Sequence, residues 1–128
     1  MTDYWKSVAI KRLGQYNTMT QTAQALPMTM RQWRCDRQAR GEKELNLLAM
    51  KTELRQELSR VRLWISQTEA GLAALTPQER LVVQLLCISP DVGNVQRLCG
   101  LLGCEQSTVY RRRDKALEKF TKALYGRS

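Results

Sequence analysis

Histidine is absent from this chain of 128 residues, and its absence removes the commonest general acid–base group and a frequent zinc ligand. The four cysteines do not have the spacing of a zinc site, and we interpret Cys87 and Cys99 as small buried apolar residues. No nucleophile constellation, phosphate-binding loop or paired-carboxylate motif replaces the missing histidine. We therefore expect no metal site, no cofactor and no enzymatic activity. The cysteines are Cys35, Cys87, Cys99 and Cys104.

Long apolar runs are also missing. No stretch approaches the roughly 18 residues that a membrane-spanning helix needs, and the first residues, MTDYWKSVAIKRL, lack the apolar segment of a signal peptide. Hydrophobic residues still make up 43% of the chain, which suffices for a folded core in one ordinary domain or two very small ones. We expect a globular cytosolic protein with no membrane partner.

Acidic residues are few relative to basic ones, since 12 Asp and Glu stand against 21 Lys and Arg and the net charge is +9. The basic excess lies in residues 1–41 and 103–128, while the middle of the chain is neutral. Such an excess favours a polyanionic partner, because neutralised phosphates release counterions. A solvated basic surface or an acidic protein partner would give the same composition, so charge alone leaves these alternatives open.

The chain shows no alternation at period two, whereas several segments repeat at three to four residues, so we expect an all-α fold. From Asp3 to about Tyr16 the pattern predicts an amphipathic helix that begins near Asp3. From 17 to 30 a helix is only weakly indicated, and Pro27 should interrupt it. The first helix has apolar positions at Trp5, Val8, Ala9, Leu13 and Tyr16 and basic residues, expected largely on the other side, at Lys6, Lys11 and Arg12.

Four arginines, Arg31, Arg34, Arg37 and Arg40, surround Trp33 in the segment RQWRCDRQARGE. This cluster is either a second phosphate-contacting surface or a solvated basic face whose tryptophan packs on the neighbouring helix. The sequence favours the two interpretations about equally.

The most regular pattern predicts one long amphipathic helix from Glu42 to about Leu75. Lys51 and Thr68 fill two expected apolar positions, and Trp64 widens the stripe beyond a strict coiled-coil seam. The helix could form a dimeric coiled coil or pack within its own chain, and we favour packing within the chain with some self-association as a homodimer. The apolar positions are Leu47, Leu54, Leu58, Val61, Ile65, Leu72 and Leu75.

A complete helix start follows, with Thr76 as the cap, Pro77 in the first turn and Glu79 closing a capping box. We place a domain boundary here, between an N-terminal helical region, 1–75, and a C-terminal three-helix domain, 76–128. Gly103 supplies a tight turn before the last helix. The first helix of this domain should bury Leu81, Val82, Leu85, Leu86 and Ile88 and end at Ser89-Pro90-Asp91, and the second, from about Asn94 to Leu102, should bury Val95, Leu98, Cys99 and Leu102.

The stretch GCEQSTVYRRRDKAL, from Gly103 to Leu117, has the order of a helix-turn-helix: a helix, a glycine turn, a hydroxyl pair and arginines on the next helix. At 100° per residue, one face of that helix is apolar and the other is polar. The apolar face consists of Val109, Ala116, Leu117, Phe120 and Leu124, and the polar face includes Ser107, Tyr110, Arg111 and Asp114.

The polar face has the chemistry to contact double-stranded DNA. Ser107 and Thr108 can donate to phosphates, Tyr110 can contact the backbone or a thymine methyl, and Arg111 can form a bidentate contact with guanine. An arginine triplet alone is more often a solvated face, but its place after the glycine turn favours DNA. Arg112 and Arg113 lie nearer the core edge, where their stems pack and their charged ends reach phosphates, and Lys115 completes the predicted DNA-binding set.

Two stretches, LTPQERLVVQLL and LCGLLGCEQSTVYRRRDKALEKF, resemble the region-4 helix-turn-helix of bacterial sigma factors and, most of all, the sigma-like phage regulators of the ArpU and RinA families. The specific resemblance covers about residues 75–126. It implies a sequence-specific transcriptional regulator in the cytoplasm of a bacterial host that activates phage or prophage late genes for packaging, morphogenesis or lysis. It also implies a recognition role for Gln106 beside the residues above, and the N-terminal helices are then candidates for contact with host RNA polymerase.

Glu105 departs from these families, which usually have a capping serine or threonine at that position. A glutamate caps a helix poorly and repels phosphate. Two other functions stay open. A phage small terminase subunit also joins a helix-turn-helix to oligomerising helices, and would bind DNA for packaging. A helical interaction protein with no DNA partner would use its basic ends to bind an acidic protein.

Overall fold

The computed structural model describes residues 4–126, in which every regular element is helical and no residue forms a strand. This confirms the all-α prediction. Asp3, predicted near the start of the first helix, lies outside the described residues. Among residues 4–126, the helices lack the combination of length and hydrophobicity that a membrane-spanning segment requires. The helices are α1 (Tyr4–Gly14), α2 (Tyr16–Ala39), α3 (Glu44–Ala73), α4 (Pro77–Val83), a π-helical segment (Gln84–Ile88), α5 (Asn94–Leu102) and α6 (Gln106–Leu124).

The chain divides into two compact units, and the division differs from the boundary that we predicted after residue 75. One unit, here called the terminal unit, comprises Met1–Asn17 and Gln67–Ser128, and the other, the central unit, comprises Thr18–Ser66. The difference arises because α1 and the last turns of α3 contribute to the same core as α6. Hydrophobic spacing finds each helix but does not say which distant helix covers its apolar face.

The core of the terminal unit surrounds the apolar face of α6. Gly71 of α3 lies against the ring of Phe120, where an added Cβ would stand 2.7 Å from the nearest ring carbon. Only glycine therefore permits this close approach of α3 to α6. The buried residues of the main cluster are Ala9, Leu13, Leu72, Leu75, Val83, Cys87, Ile88, Ala116, Leu117 and Phe120.

The predicted start of α4 is confirmed in detail. Thr76 Oγ1 accepts a hydrogen bond from the Glu79 backbone N–H at 3.2 Å, and Glu79 Oε1 accepts one from the Thr76 N–H at 2.8 Å. The second bond, with help from Lys119, lowers the pKa of Glu79. These two bonds satisfy donors that a helix start otherwise leaves without partners.

The predicted burial of Leu81 is wrong, since that residue is 36% exposed and Val83 is fully buried in its place. Val82 and Val83 are adjacent in α4 but belong to two different apolar clusters. The buried face of α4 is therefore centred on these two valines, and Leu81 lies outside it. The helix then changes from α to π geometry over Gln84–Ile88, and the Ser89 N–H donates to the Gln84 carbonyl at 2.9 Å. This local change of period cannot be read from apolar spacing.

Helix α5 has the predicted bounds, and Leu98 is fully buried, while Val95, Cys99 and Leu102 are half-buried. Its first residue, Asn94, is also buried, and its side-chain Nδ2 donates to the carbonyls of Leu85 at 2.8 Å and Ser89 at 3.2 Å. Asn94 thus ties the start of α5 to the π-helical segment. The sequence indicated a helix start at Asn94 but not this role.

Two basic residues of α1 lie inward, contrary to the prediction that they face away from the core. Lys6 is half-buried and its Nζ lies 3.0 Å from Asp114 Oδ2 on α6. Arg12 donates from Nε to the hydroxyl of the buried Thr68 at 2.8 Å, and burial lowers the pKa of its guanidinium. Because α1 is covered by α6 and the end of α3, polar residues at the edges of its apolar face also meet partners. Lys11 is exposed as expected.

Helices α2 and α3 form most of the central unit. The prediction that Pro27 interrupts a helix is wrong, because α2 continues through it from Tyr16 to Ala39. A proline removes one backbone hydrogen bond and disturbs one turn, and in a helix of 24 residues the other turns keep their bonds. The stripe of α3 is buried within the chain at Leu47, Leu58 and Val61, as our preference for packing within the chain requires.

Candidate nucleic-acid interface

Helix α6 carries the candidate site, and its two faces differ sharply in exposure. Val109, Ala116, Leu117 and Phe120 are fully buried, which confirms the predicted core face, and Leu124 is half-buried. This packing fixes the rotation of the helix about its axis. The opposite face is therefore held at the surface, with Gln106, Ser107, Tyr110, Arg111 and Lys115 exposed and Thr108, Arg112 and Arg113 half-buried.

The turn before α6 is built as the sequence suggests. Gly103 has φ 63°, in the left-handed region that favours glycine. Glu105 is the N-cap residue, and its side chain makes no capping hydrogen bond, although its carbonyl accepts from the N–H groups of Thr108 and Val109 at 3.0 and 3.1 Å. The start of α6 thus lacks a capping side chain, and its first residues, Gln106 and Ser107, are exposed at the positive end of the helix dipole.

Arg111 is the most accessible cation of the arginine triplet. It is exposed, and no described residue forms an ion pair or a hydrogen bond with its guanidinium. A guanidinium in this state has all five N–H donors available to an external acceptor and loses no internal partner when it binds one.

Arg113 is instead held by its neighbours. Its Nε and Nη2 donate to Asp114 Oδ1 at 3.1 and 3.0 Å, and its guanidinium carbon lies 5.1 Å from the ring centroid of Tyr110. Asp114 also pairs with Lys6. Burial alone would raise the pKa of Asp114, but hydrogen bonds from Lys6 and Arg113 lower it overall. The carboxylate is therefore ionised and shared by two cations, which leaves this group of three with one net positive charge.

Arg112 extends from α6 towards α4, where its Nη1 donates to Gln78 Oε1 at 3.1 Å. About two turns further along α6, Lys119 Nζ pairs with Glu79 Oε1 at 3.0 Å. The half-buried stem of Arg112 agrees with the predicted position at the core edge. Its charged end is bonded only to a neutral amide among the described residues, so its full charge remains at the surface.

The four arginines near Trp33 lie in the central unit, and two of them already have acidic partners. Arg34 pairs with Glu44 at 3.4 Å, and Arg37 pairs with Glu42 at 3.6 Å and lies 5.2 Å from the ring centroid of Trp33. Arg31 and Arg40 are exposed. Carboxylates next to Arg34 and Arg37 weaken the case for a phosphate-contacting surface made of all four.

The cysteines do not form a metal site in the part of the chain that the structure describes, where no group of three or more Cys, Asp or Glu could hold an ion. Cys87 is buried as predicted, and burial raises the pKa of its thiol to about 11. Cys99 is half-buried rather than buried, and Cys35 is exposed.

The arrangement on α6 suits recognition of an anionic, hydrogen-bonding surface, because one face carries hydroxyls, the positive end of the helix and a guanidinium that pairs with no described residue. Sequence reasoning missed Lys6 and Gln78, which set the positions of Asp114 and Arg112. Nothing in the local pattern could have found Lys6, because it lies 108 residues from its partner. Protein-family models, curated proteins and solved structures were compared with this chain, and none of them matches it.

Proposed function

We propose that this protein binds double-stranded DNA through the exposed face of α6 and regulates transcription at the sites that it selects. In this proposal, α4 with its π-helical extension, α5 and α6 form a C-terminal helix-turn-helix, and α6 enters the major groove. The observation that carries the proposal is the exposure of Arg111, whose guanidinium has no ion pair or hydrogen bond with a described residue, on a helix whose opposite face is buried at Val109, Ala116, Leu117 and Phe120.

Base recognition needs a side chain that is held in position at its backbone and free at its charged end. Arg111 meets both requirements because Val109 and Ala116 fix the helix on either side of it, and no described acid competes for its guanidinium. Ser107 and Thr108, at the positive end of the same helix, are placed to donate to phosphates. The net charge of +9 adds attraction to any duplex.

Selection of duplexes from a random pool by the full chain tests the proposal. We expect a defined motif to be enriched, and we expect the selected duplex to bind about a thousandfold or more tightly than a scrambled one at physiological salt. Binding to both should weaken as salt rises. Equal affinity for both duplexes, or no binding at low salt, would refute sequence-specific recognition and favour a protein that binds an acidic protein partner.

The regulatory part of the proposal, activation of phage late genes with host RNA polymerase as a partner, rests on the resemblance to sigma region 4. In vitro transcription with bacterial RNA polymerase, on a template that carries the selected site upstream of a promoter, tests it. We expect more transcript when the protein is added and no change on a template with the scrambled site. Unchanged or reduced transcript on the selected template would contradict activation while leaving DNA binding intact.

A further inference from the structure

A groove of about 560 Å³ lies between α2 and α3 within the central unit. Among the described residues, five cations and no carboxylate line it: Arg31 and Arg34 from α2, and Lys51, Arg55 and Arg62 from α3. Of these five, Arg34 alone is ion-paired within the described part of the chain. The groove therefore concentrates positive charge that the chain itself leaves largely uncompensated.

Apolar residues also line this groove, among them Trp33 of α2 and Leu54 and Leu58 of α3. Helix α2 has no fully buried residue along its 24 positions, although a helix of a folded protein normally covers an apolar stripe. Trp33 is half-buried. The side of α2 that lines the groove thus has apolar surface that the chain does not cover.

We propose that this groove binds an acidic amphipathic helix of a partner protein. Leucine-like side chains of the partner would cover Trp33 and Leu54, and carboxylates along the edges of its apolar stripe would pair with Arg31, Arg55 and Arg62. A helix in an apolar groove is a recurrent mode of recognition, and charged edges around an apolar centre add specificity and speed of association. Its volume of about 560 Å³ lies in the range of pockets that bind drug-sized ligands.

The groove fits such a helix better than it fits duplex DNA. A duplex presents its phosphates on a convex outer surface and has no apolar chain that could cover Trp33, Leu54 and Leu58. A partner with both carboxylates and apolar side chains complements both properties. Among the described residues, Glu44 pairs with Arg34, and no ion pair joins a carboxylate to the other four cations. Glu53 and Glu57 on α3 line an adjacent groove, which shares Trp33 and Leu54 with this one and which none of the five cations lines.

The test uses two synthetic helical peptides that differ only in charge. Both carry leucines along one face, and one has glutamates along the edges of that face where the other has glutamines. Fluorescence anisotropy of labelled peptide with the full chain should show binding of the glutamate peptide at least about tenfold tighter than the glutamine peptide, with the difference shrinking as salt rises. Equal affinity for the two peptides would overturn the proposal.

Variants locate the binding on the protein. Arg55→Glu should weaken binding of the glutamate peptide at least about tenfold, since it reverses a charge on the groove lining. Arg60→Glu is the matched control, because Arg60 lies on the same helix, is 71% exposed and is not part of the groove lining. Ser59→Trp should also abolish binding by filling the groove. The circular dichroism spectra of all three variants must match that of the parent. Equal losses of peptide affinity for Arg55→Glu and Arg60→Glu would refute a groove site.

Two other occupants would give different results. If a second copy of the chain fills the groove, light scattering should show an oligomer that Arg55→Glu dissociates, and this would overturn the proposal. If the groove binds DNA, Arg55→Glu should weaken duplex binding and a duplex should displace the peptide, which would overturn it as well. The proposal expects Arg111→Ala to leave peptide affinity unchanged and Arg55→Glu to leave duplex affinity unchanged, so it can fail independently of the proposed DNA binding.

Discussion

Replacement of Arg111 by alanine separates base recognition from general charge attraction. The side chain is exposed and has no ion pair or hydrogen bond with a described residue, so the free energy of unfolding should stay within about 0.5 kcal/mol of the parent. If the guanidinium forms a bidentate contact with a guanine edge, its loss should cost about 1–3 kcal/mol on the selected duplex. That cost corresponds to about 5- to 150-fold weaker binding.

The assay compares the selected duplex with a scrambled one at several salt concentrations. For Arg111→Ala, we expect the loss mainly on the selected duplex, relaxed preference at one base position and little change in the salt slope. A phosphate contact would behave differently, since both duplexes would weaken alike and the slope would fall by about 0.9 per lost contact. The two mechanisms therefore differ in kind and not only in size.

Lys122→Ala is the matched control for this experiment. It removes the same charge from an exposed position of α6, about three turns further along, where Lys122 pairs with Glu118 at 3.1 Å. We expect nearly parental affinity on both duplexes. Equal losses on the selected and scrambled duplexes for Arg111→Ala would refute its role in base recognition and leave Gln106 and Tyr110 as the better candidates.

Three further variants test the terminal unit. Leu117→Ala, at a fully buried position, should lower the free energy of unfolding by about 2–5 kcal/mol in denaturant melts, and a parental midpoint would contradict the assigned core. Gly71→Ala should lower the thermal midpoint because its Cβ would meet the Phe120 ring at 2.7 Å; an unchanged midpoint would mean that α3 can shift away at no cost. Asp114 has a folded pKa below its unfolded value, so its ion pairs stabilise the fold above about pH 4 and are lost as pH falls through the folded pKa. The Asp114→Asn variant should therefore lose less stability than the parent on acidification. If the free energies of unfolding of the two proteins fall in parallel as pH is lowered, this contribution from Asp114 and its pairing with Lys6 is refuted.

Local signals in the sequence predicted local structure well. The capping box at Thr76, the bounds of α5 and the glycine turn at Gly103 are all confirmed, because each depends on residues within about one turn of one another. The buried face of α6 is confirmed for the same reason, since a helix period converts spacing directly into direction.

Contacts between distant parts of the chain were not predictable. Lys6 and Arg12 lie at the edges of the apolar face of α1, and whether such positions face solvent depends on what covers the helix. The covering elements, α6 and the end of α3, supply Asp114 and Thr68 as partners. The error at Pro27 has another origin, because the cost of a proline is local to one turn and a long helix can absorb it.

The candidate site depends on one of these unpredicted contacts. Asp114 is on the same side of α6 as the proposed DNA-binding residues, where an unpaired carboxylate would repel phosphates. Lys6 and Arg113 both bond to it, so a net positive charge remains near Arg111. Lys6 comes from α1, which also supplies Ala9 and Leu13 to the core beneath α6. The charge balance of the proposed DNA-binding face and the burial of its supporting helix thus both need α1, and a domain defined as 76–128 would lack both. The functional unit implied by these contacts is the terminal unit, in which residues from both ends of the chain build one face.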